Sequence, residues 1–165
     1  MKRLLCFSVI LIVFVSCASA ETPDFVFEIY NGLAEEFTEF EADTLPDEYS
    51  LTVDDDGSET RIFSISDKLK VLFCSDQGNV YEIAVWYISA SVDENFLSAC
   101  KIATITMMLE YKSDVMDIVE QKYRFALEGK ESGISIIDDY YIHLAKQTGY
   151  FFTVISADGF REHNK

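Results

Sequence analysis

Residues 71–88 read VLFCSDQGNVYEIAVWYI and decide the fold that the sequence predicts. Two runs rich in β-branched and aromatic residues, 71–74 and 80–88, flank Asp76-Gln77-Gly78-Asn79. Gly78 stands where a tight turn usually needs a positive φ. This pattern predicts a β-hairpin in the middle of the chain.

The longer strand, 80–88, divides its side chains between two faces. We expect helices to cover the wholly apolar face, which comprises Tyr81, Ile83, Val85 and Tyr87. The other face is only partly polar and comprises Glu82, Ala84, Trp86 and Ile88. Trp86 is either covered by the first helix or exposed as a contact residue. We expect the first, because single aromatic residues on protein surfaces seldom mark a site.

A second hairpin is predicted upstream. Leu51 and Val53 alternate with polar residues, the acidic run 54–58 follows, and the apolar pattern then resumes. The acidic run is a turn rather than a calcium loop, because the first and twelfth loop positions would fall on Thr52 and Phe63.

The sequence before this hairpin predicts an amphipathic helix. Thr22 can cap it, Pro23 suits its first position, and the apolar pattern ends near Asp43. Apolar residues recur at three- and four-residue steps and should form the buried stripe: Phe25, Ile29, Leu33, Phe37 and Phe40.

Two helices are predicted downstream of the central hairpin. Ser91 and Glu94 have the spacing of a capping box, and Ser113 can start a second helix that Gly129 ends. The expected buried stripe of the first is Phe96, Cys100, Ala103, Met107 and Tyr111. That of the second is Met116, Val119, Tyr123 and Leu127.

The last part of the chain predicts two or three strands, at 134–137, 140–145 and 150–155, with Asp138-Asp139 in a turn. The order of elements predicts an α+β domain in which an N-terminal helix and two central helices pack on an antiparallel sheet of about five to six strands. This domain should span 21–157 and be followed by a polar tail, 158–165. In outline the order resembles small helix-and-sheet modules of bacterial lipoproteins and secretion chaperones, a likeness of architecture that assigns no residue a role.

Residues 1–20 have the anatomy of a signal peptide. Lys2 and Arg3 precede an apolar run that is shorter than the roughly 20 residues needed to span a bilayer, and small residues lie before a cleavage point after Ala20. We therefore expect an extracytoplasmic protein, secreted or periplasmic. The alternative is a lipid anchor at the outer face of a membrane, because Val15-Ser16-Cys17 resembles the end of a bacterial lipobox and Cys17 would carry the lipid.

The composition is that of an acidic folded domain. Lys and Arg number 13 against 29 Asp and Glu, which gives a formal net charge of −16, and 49% of the residues are hydrophobic. Such a charge repels nucleic acid and anionic lipid, so we expect neither as a partner. The apolar content is high enough to fold despite that charge.

Cleavage after Ala20 leaves two cysteines, Cys74 and Cys100. An oxidising compartment permits a disulfide that closes a loop of about 25 residues and stabilises by about 3 kcal/mol. The alternative is two buried thiols that act as small hydrophobic side chains.

Signals for catalysis are weak. A Cys-His pair would have to combine Cys74 or Cys100 with His143, no group in the sequence marks an oxyanion site, and neither a zinc motif nor a phosphate loop occurs. We therefore expect no cofactor and no metal. Asp138 and Asp139 are the most tempting acid pair, but a turn explains them.

Aromatic residues offer the best interaction hypothesis. Rings on an open sheet can stack on a peptide or a sugar, so a protein or carbohydrate partner is expected to contact Trp86, Tyr140, Tyr141, Tyr150 and Phe152. The sequence thus favours an exported, non-enzymatic binding or assembly module. The alternative is a small secreted hydrolase that uses carboxylates or a thiol.

Overall fold

A computed structural model describes residues 23–36 and 42–159. Three predictions concern residues outside these ranges: the signal peptide 1–20 with Cys17, the N-cap Thr22, and the stripe residues Phe37 and Phe40. The described elements are α1 (Pro23–Glu36), β1 (Ser50–Val53), β2 (Glu59–Ser64), β3 (Leu69–Asp76), β4 (Asn79–Tyr87), α2 (Glu94–Met108), α3 (Ser113–Leu127), β5 (Ser132–Ile137), β6 (Tyr140–Lys146) and β7 (Tyr150–Ser156).

The strands form one seven-stranded antiparallel sheet in the order β1-β2-β3-β4-β7-β6-β5. The predicted α+β class is confirmed, with seven strands where we expected five or six. Helices α2 and α3 lie in the chain between β4 and β7, which pair at the centre of the sheet. The chain thus leaves the sheet at the central strand β4, crosses one face as two helices and re-enters at the edge strand β5. Two hairpins then bring it back to β7, beside β4.

Turn chemistry explains why the hairpins form where the sequence predicts. Gln77 and Gly78 both have positive φ, 49° and 84°, as the tight turn between β3 and β4 requires. Asp138 adopts a φ of 50° in the β5–β6 turn, a conformation that Asp tolerates better than most residues. Gly149 precedes β7, and a Cβ there would lie 2.1 Å from the carbonyl oxygen of Tyr87, so only glycine lets β7 approach β4 closely.

The core lies between the three helices and one face of the sheet, which we call the inner face. Alternation is clearest in β3, where every second side chain from Leu69 to Ser75 is buried. The ring of Phe96 on α2 packs near the rings of Tyr87 and Tyr150, at centroid distances of 5.5 and 6.5 Å. Burial of each such ring stabilises the fold by about 1.5–3 kcal/mol.

Helix α1 buries a different line of residues from the predicted stripe. Val26, Tyr30 and Ala34 are its buried residues, whereas Phe25 and Ile29 are only partly buried. The helix is apolar along two adjacent lines, and packing on α2 and the sheet selects one of them. Residues 42–44 are not helical, and 37–41 lie outside the described residues, so the predicted helix end near Asp43 stays a prediction.

The start of α2 also differs from the prediction. Asp93, not Ser91, is the N-cap: its carboxylate accepts a hydrogen bond from the backbone N–H of Phe96, and Ser91 is exposed. The hydroxyl of Tyr87 donates to the same carboxylate. This second hydrogen bond ties the end of β4 to the helix and favours Asp93 over the capping box.

Helix α3 uses a lysine as a core residue. Val115, Val119, Lys122 and Ala126 are buried, whereas Leu127, which we expected inside, is 56% exposed. The Nζ of Lys122 donates to Ser132 Oγ at 2.8 Å and to the carbonyl oxygen of Gly133 at 2.7 Å, and so fastens α3 to β5. Burial lowers the pKa of Lys122 to about 8.

A short helical turn, 157–159, follows β7. Its Ala157 N–H donates to the carbonyl oxygen of Asp139, and Gly159 is buried against Tyr81. The first two residues of the predicted polar tail therefore belong to the packed domain, and 160–165 lie outside the described residues.

Candidate functional site

The second face of the sheet, which we call the outer face, is the main candidate site. Its side chains alternate with the buried ones of the inner face, and none of its large apolar side chains belongs to the core that the described helices cover. Most are partly buried by their neighbours. The outer face comprises Ser50, Thr52, Thr60, Ile62, Ser64, Lys70, Leu72, Cys74, Glu82, Ala84, Trp86, Ile136, Tyr141, His143, Ala145, Phe151, Thr153 and Ile155.

Strand register arranges the outer face in rows that cross the sheet. One row runs through Lys70, Trp86, Phe151 and Ala145 on four neighbouring strands. The Nζ of Lys70 lies 5.5 Å from the centroid of the Trp86 ring, a cation–π contact that keeps the charged end of Lys70 at the surface. Trp86 is the only tryptophan of the chain, so its fluorescence reports on this face alone.

The next two rows combine aliphatic side chains with polar and ionisable ones. The second row comprises Ile62, Leu72, Ala84, Thr153 and His143. The third comprises Thr60, Cys74, Glu82, Ile155, Tyr141 and Ile136. From β3 to β5 the outer face therefore carries mainly aliphatic and aromatic side chains, with a single carboxylate, Glu82, on the central strand β4.

Burial perturbs the ionisable groups of this face. It raises the pKa of Glu82 from 4.5 to about 7, so that the carboxyl group titrates near neutral pH. Burial, followed by the nearby charge of Lys122, lowers the pKa of His143, which favours the neutral imidazole. Burial also raises the pKa of the Cys74 thiol to about 12.

The structure divides the predicted contact residues between the two faces. Trp86 and Tyr141 lie on the outer face. Tyr150 and Phe152 are core residues with at most 1% exposure, so neither can contact a partner from the sheet surface. Tyr140 is partly buried on the helix side, where it lines a small cavity. The expectation that the first helix covers Trp86 is wrong, because α1 packs on the inner face through Phe27 and Phe73.

Sequence reasoning missed the aromatic neighbour of Trp86. Phe151 lies between two core residues in the run Tyr150-Phe151-Phe152, and only its pairing with Trp86 places it on the outer face. Strict alternation in this run was the available signal, because it places the side chain of Phe151 on the face opposite to that of its two neighbours. The aliphatic residues Ile62 and Leu72 were also missed, because only strand pairing places them on the outer face.

The bulge in β4 alters one further assignment. The register shifts between Cys74 and Ser75, so that Val80 pairs with Ser75 and packs against the core. Tyr81, which we expected under the helices, therefore leaves the inner-face pattern, and its side chain lies against Gly159. The other three residues of the predicted inner face are buried: Ile83, Val85 and Tyr87.

The residues that a thiol or carboxylate hydrolase would need are not brought together. Cys74 and Cys100 are free thiols on opposite sides of the sheet, so no bridge joins them. His143 lies three strands from Cys74, about 14 Å at ordinary strand spacing. Asp138 and Asp139 form the predicted turn, where Asp138 accepts a hydrogen bond from Lys112 Nζ at 2.7 Å.

One small cavity lies between α1, the end of α2 and the sheet, and has a volume of about 150 Å³. Its walls are mainly apolar, with Phe25, Ile29, Val80 and Met107 among them. Ligand pockets for drug-sized molecules usually have at least about 300 Å³. The cavity is therefore too small for a ligand of that size.

One end of the sheet is strongly acidic. The β1–β2, β3–β4 and β5–β6 turns and the turn after β7 all meet at this end, because every strand pair is antiparallel. They carry Asp54, Asp55, Asp56, Asp76, Asp138, Asp139 and Asp158. The outer face therefore has an acidic border at this end.

Within residues 23–36 and 42–159, no group of three or more acidic, His or Cys side chains is arranged to hold a metal ion. In the same part of the chain, no helix has the length and apolarity that a bilayer crossing requires. Comparison of the chain with models of known protein families, with curated proteins and with solved structures finds no match. The chemistry of the outer face is thus the basis for assigning a function.

Proposed function

We propose that this protein is an exported, non-enzymatic binding module of the cell envelope or extracellular space, and that its outer face binds a polypeptide partner. The observation that carries the proposal is the group of aliphatic and aromatic side chains around Trp86 and Phe151, on a face that none of the described helices covers. Apolar patches bordered by polar residues are common protein-interaction sites. Export rests on the signal-like residues 1–20, and a lipid at Cys17 is the alternative to free diffusion.

A polypeptide suits this face better than a carbohydrate. Sugar rings that stack on aromatic side chains bring many hydroxyl groups, and each needs a hydrogen-bonding partner once it is buried. The neighbours of Trp86 along its row are Lys70, Phe151 and Ala145, and the adjacent row is largely aliphatic. Aliphatic and aromatic side chains of a peptide fill such a surface without leaving polar groups unsatisfied.

Charge complementarity indicates the kind of polypeptide. The net charge is −16, aspartates border one end of the face, and Glu82 lies within it. A partner that is both apolar and basic gains long-range attraction on approach, whereas an acidic partner is repelled.

Selection from a library of random displayed peptides tests this proposal. We expect recovered peptides to combine aromatic or aliphatic residues with Lys or Arg, and to lose binding when Leu72 is replaced by Ser. Leu127→Ser is the matched control, because Leu127 is an exposed leucine on α3, away from the outer face. Failure to recover peptides, or peptides that bind Leu72→Ser as well as the wild type, would contradict the proposal.

A further inference from the structure

The carboxylate of Glu82 lies on the central strand β4, in the row of the outer face that is nearest the acidic turns. Its cross-strand neighbours are Cys74 on β3 and Ile155 on β7. Glu82 is partly buried, and among the described residues it forms no ion pair. A carboxylate in such a place is unusual, because charged groups are seldom buried without a partner.

The groups that surround Glu82 supply no compensating charge. On β2 and β3 they are Thr60, the neutral thiol of Cys74, and Asp76 at the end of the strand, and on β4 the nearest is Tyr81. On β7 and β6 they are Ile155, Tyr141 and the largely neutral His143, and the β1–β2 turn adds Asp54 and Asp56. The cation of this face, Lys70, lies in a different row, over Trp86.

A partner that covers the outer face removes the remaining water from Glu82. The carboxyl group must then take up a proton or receive a positive charge, because an ionised carboxylate without a partner is costly in an apolar interface. A lysine or arginine of the partner supplies both the charge and charge-assisted hydrogen bonds. Ile155 on β7 and Leu72, one row away on β3, are apolar and would exclude water from such a pair.

We propose that Glu82 is the docking point for a lysine or arginine side chain of the partner, so that the outer face selects segments in which a basic residue is flanked by apolar ones. This inference rests on the proposed function of the outer face. It makes Glu82 the residue that determines specificity, while the aliphatic and aromatic side chains provide the contact area.

The test uses two synthetic peptides and the fluorescence of Trp86. In both peptides Leu and Phe alternate with Ser; one has a central Arg and the other has citrulline, which keeps the shape of Arg without its charge. We expect the Arg peptide to bind the wild type about tenfold more tightly than the citrulline peptide at about pH 8. We expect this ratio to fall towards one in Glu82→Gln, whose fold is checked by its unfolding transition.

The pH dependence provides a second readout on the unmodified protein. The carboxyl group becomes neutral well below its pKa of about 7, whereas Arg stays charged. The preference for the Arg peptide should therefore decline in the wild type between about pH 8 and pH 5.5, and should not change over this range in Glu82→Gln.

The outcomes separate the inference from the function on which it rests. Equal binding of the two peptides, with no effect of Glu82→Gln, would overturn the role of Glu82 and leave the outer face as a binding surface. Absence of binding by either peptide would count against both.

Discussion

Replacement of Glu82 by Gln should stabilise the protein above neutral pH, and the gain should disappear in acid. Burial raises the pKa of Glu82 from 4.5 to about 7, so between these values the folded chain binds a proton that the unfolded chain releases. The wild type therefore loses stability as the pH rises through this window. A pKa change of this size corresponds to at most about 3 kcal/mol.

Gln has nearly the shape of Glu and does not ionise, so it removes this pH dependence. We expect the free energy of unfolding of Glu82→Gln, relative to the wild type, to increase by about 2–3 kcal/mol between about pH 4.5 and pH 8. Urea unfolding followed by Trp86 fluorescence at a series of pH values measures it. The difference between the two proteins cancels the contribution of the many other carboxylates.

Glu120→Gln is the matched control, because folding shifts the pKa of Glu120 in the direction opposite to that of Glu82. Glu120 accepts a hydrogen bond from Lys101 Nζ at 2.7 Å, and this contact lowers its pKa. Its ionised form stabilises the fold, so Glu120→Gln should destabilise at neutral pH and the loss should shrink in acid. Parallel stability curves for the wild type and Glu82→Gln would refute the placement of Glu82 in an apolar face.

Three further predictions concern Lys122, the N-cap of α2 and the two thiols. The wild type should gain stability between about pH 8 and 10.5, because the unfolded chain holds the proton of Lys122 over this range and the folded chain does not. Lys122→Met should abolish this gain. Urea unfolding at each pH measures the difference, and identical pH profiles of the two proteins would contradict the prediction. Asp93→Ala should lower the free energy of unfolding by about 1–2 kcal/mol, as loss of an N-cap does, while Ser91→Ala should have little effect. Thermal unfolding of the two variants measures this. If Ser91 capped the helix in a capping box, Ser91→Ala would be the more destabilising of the two. Burial raises the pKa of both Cys74 and Cys100, so iodoacetamide at neutral pH should leave both thiols unmodified until urea is added. The intact mass of the protein reports the labelling. Rapid alkylation of the folded protein would contradict the prediction, because it would show that a thiol is activated.

The elements and their order could be predicted because local chemistry determines them. Turn residues such as Gly78 and Asp138, and periodicities of two or of three and four, are properties of short segments. The α+β class follows from them directly. The face that each element buries follows less reliably, because it depends on what packs against it: α1 buries the line of Val26 rather than that of Phe25.

The candidate site could be predicted only in part. Trp86 stood out by residue type, but its neighbour Phe151 became visible only through the pairing of β4 with β7, two strands far apart in sequence. The bulge at Cys74 is likewise a property of the pairing. Glu82 had no signal of its own, because its burial and raised pKa arise from side chains on three strands.

Site-specific photocrosslinking in the native host tests the central claim most directly. A photoreactive phenylalanine is placed at Ile136, which is 67% exposed on the outer face, or at Leu127, which is 56% exposed on α3. The account predicts a discrete protein adduct from position 136 that is lost when Glu82 is also replaced by Gln, and no such adduct from position 127. An adduct from position 127 alone would contradict binding at the outer face, and an adduct from position 136 that is indifferent to Glu82 would contradict the role of Glu82.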